Sequence, residues 1–346
     1  MICFAWSGFP QYAARCIGAF VRQTTEEVVV IGTTPDVPIK GMEALAQCPV
    51  YWIKPNEQVD IVQLIGKMPS HFIVSGWGIP AFNGMADAVR AAGGKVIASN
   101  DANYIFSFKE ILRALRFRFL LKRKYDAFFV PGNAGMKLMR FYGAPKEKIV
   151  PGMYAADATL FIDGGDLTQR PKKMVYVGRL CERKNVRGLC KAFVEAKGPE
   201  QGWTLELYGC GEQKHLLPHD NPAIQIHDFL QPEQLAAVYQ SARSFVLASF
   251  EEHWGLVVHE AALSGCVLLL SDCIGAGADL LTSENGITFN PKSIPSFVQA
   301  MKKVFAMDDA ALRRAREVSL EMAKTKGTDA FVAGVKKLIE ITNGER

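Results

Sequence analysis

Residues 174–185 read Met174-Val175-Tyr176-Val177-Gly178-Arg179-Leu180-Cys181-Glu182-Arg183-Lys184-Asn185. Four apolar residues in a row are too short for a buried helix and suit a strand covered on both faces. The run stops at Gly178, which permits close backbone approach in a loop, and helical periodicity resumes near Asn185. Arg179 and Lys184 stand five apart in that loop, at the amino end of the coming helix, where the backbone dipole favours an anion. A guanidinium fork and an ammonium point charge are the usual pair for phosphate oxygens. Taken alone, the segment also fits a solvated basic loop.

The same strand–turn–helix rhythm extends to both sides. Towards the C-terminus, strands are expected at 204–208, 224–226, 244–248, 267–271 and 287–289; towards the N-terminus, at 2–5, 28–31, 50–53, 72–74, 96–99 and 127–130. A strand–helix–strand repeat implies a doubly wound parallel sheet. The rhythm breaks at Pro151-Gly152, Gly164-Gly165 and Pro171, so residues 151–172 read as a linker. The expected organisation is α/β, with two Rossmann-like domains facing a central cleft. The first covers residues 1–155; the second covers 156–327. Ligands of such sheets sit outside the carboxyl ends of the strands.

Composition agrees with two folded cores. The chain has 346 residues, 49% hydrophobic and 22% charged. No apolar run approaches the ~18 residues of a membrane span. The first basic residue is Arg15, so the start does not read as a secretory signal. The eight cysteines include no C-x-x-C pair and sit mostly in apolar stretches, which fits reduced thiols in a cytoplasmic setting.

The net charge of +5 is unevenly spread, and residues 109–124 carry seven basic residues and one acid, Glu110. Between Lys109 and Lys124 the basic residues alternate with Ile111, Leu112, Leu115, Phe117, Phe119, Leu120 and Leu121. One reading is a core helix with snorkelling cations. The other is an amphipathic patch for an anionic membrane or acceptor, with Arg113, Arg116 and Lys124 on one face beside Ile111, Leu115 and Phe119. Nucleic acid is not expected as a partner, because no nucleic-acid motif accompanies the patch.

A second motif follows the strand at 244–248: Phe250-Glu251-Glu252-His253-Trp254-Gly255-Leu256-Val257-Val258-His259-Glu260-Ala261. Two carboxylates eight apart mean little by spacing. Here they frame a strand-to-helix turn, where a ligand would lie, and carboxylates accept paired hydrogen bonds from vicinal hydroxyls.

Together these segments resemble the donor-binding domain of glycosyltransferase family 4, the retaining family with the GT-B fold. The resemblance covers residues 174–291. It includes Tyr208-Gly209-Cys210-Gly211, Asp228-Phe229-Leu230, the helix from Leu235 to Tyr239, the Glu-x7-Glu motif, Ala261-Ala262-Leu263-Ser264-Gly265 and Glu284-Asn285-Gly286. The N-terminal half matches mainly in layout, with a local likeness over residues 126–161, and the resemblance implies that a last helix, 328–346, crosses back to the first domain.

The resemblance implies roles. Arg179 and Lys184 would bind the donor diphosphate next to Gly178, and Glu260 would hold the ribose hydroxyls. Glu252 would contact the donor sugar near its reacting centre. His253, Trp254 and Gly255 would line the sugar pocket, with Leu256 shaping the phosphate-side wall through its backbone. Phe229 and Leu230 would flank the nucleobase. Gly8 would let the first domain's backbone approach the phosphates. The family often carries two adjacent glycines in the first loop and a His after the fifth strand; here the sequence has Ser7-Gly8-Phe9-Pro10 and Ser99-Asn100-Asp101. Asn100 and Asp101 are therefore candidates for sugar or acceptor contact.

The implied activity is retaining transfer from a UDP-sugar or GDP-sugar to a glycan or lipid-linked acceptor, in bacterial surface polysaccharide or lipopolysaccharide synthesis. No cofactor is expected, and no metal either, since the chain contains no Asp-x-Asp. The implied location is cytoplasmic, peripheral on the inner face of the membrane. Rival readings are a sugar-nucleotide epimerase on the same fold and a catalytically silent, membrane-associated partner subunit. A nicotinamide-dependent dehydrogenase would need G-x-G-x-x-G after the first strand, where only Gly8 stands.

Overall fold

The computed structural model describes residues 1–34, 41–105 and 107–344. The chain forms two compact units, Met1–Ala155 with Lys326–Arg346, and Ala156–Thr325.

The first unit is built on seven strands: β1 (Ile2–Trp6), β2 (Val28–Gly32), β3 (Val50–Trp52), β4 (His71–Ser75), β5 (Lys95–Ser99), β6 (Ala127–Val130) and β7 (Ile149–Pro151). Their order is β3-β2-β1-β4-β5-β6-β7, and every pairing is parallel. The sequence reading stopped at Pro151 as a break. It is instead the last residue of β7, opposite Val130. An edge strand has one side without ladder partners, so a proline is tolerated there. The helix Thr328–Asn343 belongs to this unit. Its Phe331 lies between the rings of Phe4 and Phe129, at 6.2 and 5.4 Å. Gly152 and Gly334 let it come close: a Cβ on Gly334 would stand 2.9 Å from the Pro151 carbonyl oxygen.

The second unit has six strands: β8 (Lys173–Val177), β9 (Thr204–Tyr208), β10 (Ile224–His227), β11 (Ser244–Leu247), β12 (Val267–Ser271) and β13 (Gly286–Phe289), in the order β10-β9-β8-β11-β12-β13. All are parallel and their central residues are buried, as expected for a sheet with helices on both faces. From Ala156 on, the stretch read as a linker belongs to this unit. The buried Arg170 donates to the carbonyls of Gly165, Ala242 and Ser264, and Asp163 pairs with Arg316. At the other end, His259 Nδ1 accepts from the Ala156 amide, so Nε2 carries the proton and donates to the Ala323 carbonyl. One buried imidazole thus joins both ends of the unit.

Residues 109–124 are not one regular helix. An α-helix, Phe108–Arg116, runs into a π-helical turn, Phe117–Leu121, and a 3₁₀ turn, Lys122–Lys124. Lys124 therefore leaves the face expected for it and pairs with Asp87 at 3.1 Å. Nor is the stretch a core helix, because Phe108, Leu112, Leu115, Phe119 and Leu120 are all exposed. No helix among the described residues is long and apolar enough to cross a membrane.

Candidate donor-binding site

In the second sheet the chain winds from β8 to β10 on one side, then crosses to β11 on the other. The loops leaving β8 and β11 consequently emerge side by side at the carboxyl edge, which is where ligands of such sheets lie. Those two loops carry both sequence motifs.

The β8 loop is shaped by close backbone packing. Gly178 has φ +153°, and its amide donates to the Tyr208 carbonyl at 3.0 Å. The Leu180 amide donates to the Cys210 carbonyl at 2.8 Å, which zips this loop to the one after β9. A Cβ on Gly209 would lie 1.9 Å from the Gly178 carbonyl oxygen, and one on Gly211 2.4 Å from that of Leu180. This explains the glycines of Tyr208-Gly209-Cys210-Gly211. The Tyr176 hydroxyl donates to the Arg179 carbonyl at 2.7 Å and fixes the turn while the Arg179 side chain stays exposed. A 3₁₀ turn, Glu182–Lys184, then leads into the helix Val186–Glu195 through Asn185, which takes a left-handed conformation (φ +54°).

Lys184 and Glu252 meet. The Lys184 ammonium donates to Glu252 Oε2, and the two side chains are only 11% and 13% exposed. Ser249 Oγ donates to the same carboxylate oxygen at 3.3 Å. The two therefore form a nearly enclosed ion pair. The Glu252 turn is braced from behind by the loop after β12: the Glu252 amide donates to the Cys273 carbonyl at 3.3 Å, the Gly275 amide to the Glu252 carbonyl at 3.2 Å, and the Ala276 amide to the Trp254 carbonyl at 2.9 Å. A Cβ on Gly275 would fall 1.9 Å from the His253 carbonyl oxygen.

His253 is exposed beside Glu251. Trp254 was expected in the wall of the sugar pocket, but its ring is 2% exposed and belongs to the core. Gly255 takes φ +90°, opening the helix Leu256–Leu263 without a side-chain cap. The amide groups of that first turn favour an anion. Glu260 lies one turn along this helix and accepts from the Tyr239 hydroxyl at 3.0 Å. Burial pushes its carboxyl up to about 7, and the Tyr239 hydrogen bond opposes the rise. Tyr239 itself is held far above the ordinary phenol range by burial and by that carboxylate, so it stays a donor. Phe229 and Leu230 lie half-buried in the loop after β10.

Residues 171–307 match the family described as Glycosyl transferases group 1. The second unit is a group 1 glycosyltransferase domain. A glycogen synthase of Mycobacterium tuberculosis is 30% identical to the chain over 152 residues, 42% of this chain and 37% of that protein. Across the curated relatives, the matched stretch spans about a third to about half of their length. Among solved structures, the Anabaena protein Alr3699/HepE, in complex with UDP and glucose, superposes with a TM-score of 0.75 at 14% identity, over 98% of this chain and 99% of that one. The lipopolysaccharide outer core galactosyltransferase WaaB superposes with a TM-score of 0.73 at 13% identity, over the whole of both chains. At these identities the likeness establishes the fold, GT-B, and nothing finer.

The glycosyltransferase domain thus brings together Gly178, Arg179, Lys184, Glu252, His253, Gly255, Leu256 and Glu260 on adjoining strand-end loops and the helix that follows. Sequence reasoning missed the residues that orient them. Tyr239 holds Glu260, Ser249 donates to Glu252, and Tyr176 holds the Arg179 turn. The one available signal for Tyr239 was its place in the helix Pro232–Ser241, which the family resemblance marks without assigning it a partner.

Gly8, Asn100 and Asp101 belong to the first unit, at the carboxyl ends of β1 and β5. The Gly8 amide donates to Thr33 Oγ1 at 2.7 Å. Asn100 is spent on its own loop: Oδ1 accepts from the Ala102 amide and Nδ2 contacts Met139 Sδ. Asp101 instead accepts from the Tyr154 hydroxyl at 3.0 Å, beside Tyr12. Of the two candidates, Asp101 is the one set among rings.

Proposed function

We propose that the chain is a retaining, metal-independent glycosyltransferase that moves a sugar from a UDP- or GDP-sugar to a hydroxyl of a glycan or lipid-linked acceptor. The reading includes work on bacterial surface polysaccharide or lipopolysaccharide at the cytoplasmic face of the membrane. The observation that carries it is the Lys184–Glu252 pair between the two strand-end loops, with Arg179 exposed on the first loop and the uncapped helix at Gly255 following the second.

Transfer requires the bond between the anomeric carbon and the diphosphate oxygen to break. The sugar becomes cationic while the leaving diphosphate gains negative charge. Arg179, Lys184 and the amides at the start of the helix Leu256–Leu263 meet that charge as preorganised electrostatics, each donor worth about 3 kcal/mol. Glu252 steadies the sugar and holds the Lys184 ammonium in place. With attack from the departing face, the acceptor proton passes to the leaving phosphate oxygen and the anomeric configuration is kept. Glu260 holds the ribose, away from the reacting bond. The group 1 family match and a fold neighbour solved with UDP and glucose support this reading.

The test is incubation with a panel of UDP- and GDP-sugars in excess EDTA, with mass spectrometry of released nucleoside diphosphate. Release from at least one donor is expected. Loss of all release with EDTA, restored by magnesium or manganese, would remove the metal-free mechanism. Conversion of the sugar without transfer would favour the epimerase.

A further inference from the structure

The described residues include ten exposed large apolar side chains, and five of them fall between Phe108 and Leu120. Phe108 is 74% exposed, Phe119 76% and Leu120 65%, with Leu112 and Leu115 about half exposed. Scattered single exposures are ordinary; a contiguous cluster marks an interaction surface.

The cluster is ordered by helix geometry. Phe108, Leu112, Leu115 and Phe119 recur at i, i+4, i+7 and i+11, which forms one stripe. The opposite stripe, Glu110, Ala114, Phe117 and Leu121, starts two residues later, about 200° round the helix. That second stripe faces the core: Glu110, Ala114 and Phe117 are buried, and Phe117 packs on Trp77, Phe128 and Tyr142. The outward stripe is therefore the one the fold leaves uncovered. The single acid of the stretch points inward, where Arg113 and the Tyr142 hydroxyl hold Glu110. Lys109, Arg113 and Arg116 follow the apolar stripe along one flank. Arg118 lies on the other, with its guanidinium against Gly143. Lys122, Arg123 and Lys124 close the C-terminal end.

We infer that the segment from Phe108 to Lys124 is a docking surface for an anionic lipid bilayer. An apolar stripe with basic flanks and no outward acid matches a bilayer surface, which offers hydrocarbon below and negative head groups beside it. A second copy of the chain fits worse. A two-fold interface would set this basic patch against itself, and like charges facing each other oppose association. Phe108, Phe119 and Leu120 would enter the acyl boundary, and the long cations would reach back to the head groups. The inference does not depend on the proposed transfer, since vesicle binding needs no donor.

The experiment uses the full chain and vesicles of phosphatidylcholine with or without phosphatidylglycerol. The wild type should sediment with the anionic vesicles at low salt and be released at high salt. Lys109→Glu, Arg116→Glu and Arg123→Glu together should lower partitioning at least 10²-fold, since each basic residue near such a surface contributes about fivefold. These three are chosen because Arg113 and Lys124 hold ion pairs within the unit. Phe108→Ser with Phe119→Ser should also abolish binding, with the melting temperature unchanged because both rings are exposed. Phe119→Trp should be quenched by brominated acyl chains. The inference is overturned if the wild type stays in the supernatant at low salt. It is equally overturned if the Phe119→Trp protein binds without quenching, or if sedimentation shows a dimer that the serine variant dissolves.

Discussion

Lys184 and Glu252 lie 68 residues apart in the chain and share one contact in the fold. Each was legible in the sequence as a charge in a strand-end loop, but their partnership was not. It exists because β8 and β11 are neighbours at the point where the strand order reverses, which no local pattern encodes. The consequence is energetic coupling. Lys184→Ala and Arg179→Ala should each lower transfer about 10²-fold or more, as the loss of one charge-stabilising donor does. Lys184→Ala also leaves the Glu252 carboxylate nearly enclosed without its cation, so Lys184→Ala with Glu252→Ala should lose little more than the worse single variant. A double-mutant cycle on kcat/KM checks this, and simple additivity would count against the pair. Glu260 gives a pH dependence. Burial raises its carboxyl to about 7, so in the apoprotein it binds a proton that the unfolded chain has already released. It therefore subtracts stability as pH rises from its ordinary carboxylate range towards 7. The carboxylate is the stronger acceptor for ribose hydroxyls, so affinity for the donor should fall as the pH drops below 7. Titration with an intact nucleotide sugar, whose diphosphate does not itself titrate there, isolates the effect. Glu260→Gln should be flat over the same range.

Helices, strands and turns were read with uneven success, for physical reasons. Parallel strands announce themselves as apolar runs, and all twelve expected here lie within one residue of the observed bounds at both ends. The strand β7 was hidden because a proline at its end looks like a terminator, while an edge position tolerates it. The π-helical turn at Phe117 was hidden because residue spacing alone assumes a regular α-helix. The loop after β12, which braces Glu252, carries no chemistry of its own and so drew no notice. Its importance is testable. Gly275→Ala would set a methyl group against the His253 carbonyl. It should lower the melting temperature by about 2–4 °C for each kcal/mol lost and impair turnover. Gly84→Ala, in the helix Pro80–Ala91 with open space around it, should leave turnover intact and stabilise by up to about 1 kcal/mol. Equal behaviour of the two variants in thermal melts and donor assays would contradict a brace.

At the scale of the molecule, both sheets follow from the alternation of strands and helices, while the return of the final helix to the first unit was legible only through the family resemblance. The family match lies within the second unit, whereas Gly8 and Asp101 lie in the first, whose sequence is distinctive mainly for its basic segment. The central claim is that the strand-end loops of the second unit form a nucleotide-sugar donor site in which Glu260 serves the nucleotide and Glu252 the sugar. Calorimetric titration of UDP and of GDP into the wild type, Glu260→Ala and Glu252→Ala tests it most directly. The account predicts that the wild type binds one of the two nucleotides, that Glu260→Ala weakens this binding at least tenfold, and that Glu252→Ala largely keeps it while losing turnover. Binding of neither nucleotide by the wild type, or equal loss in both variants, would contradict it.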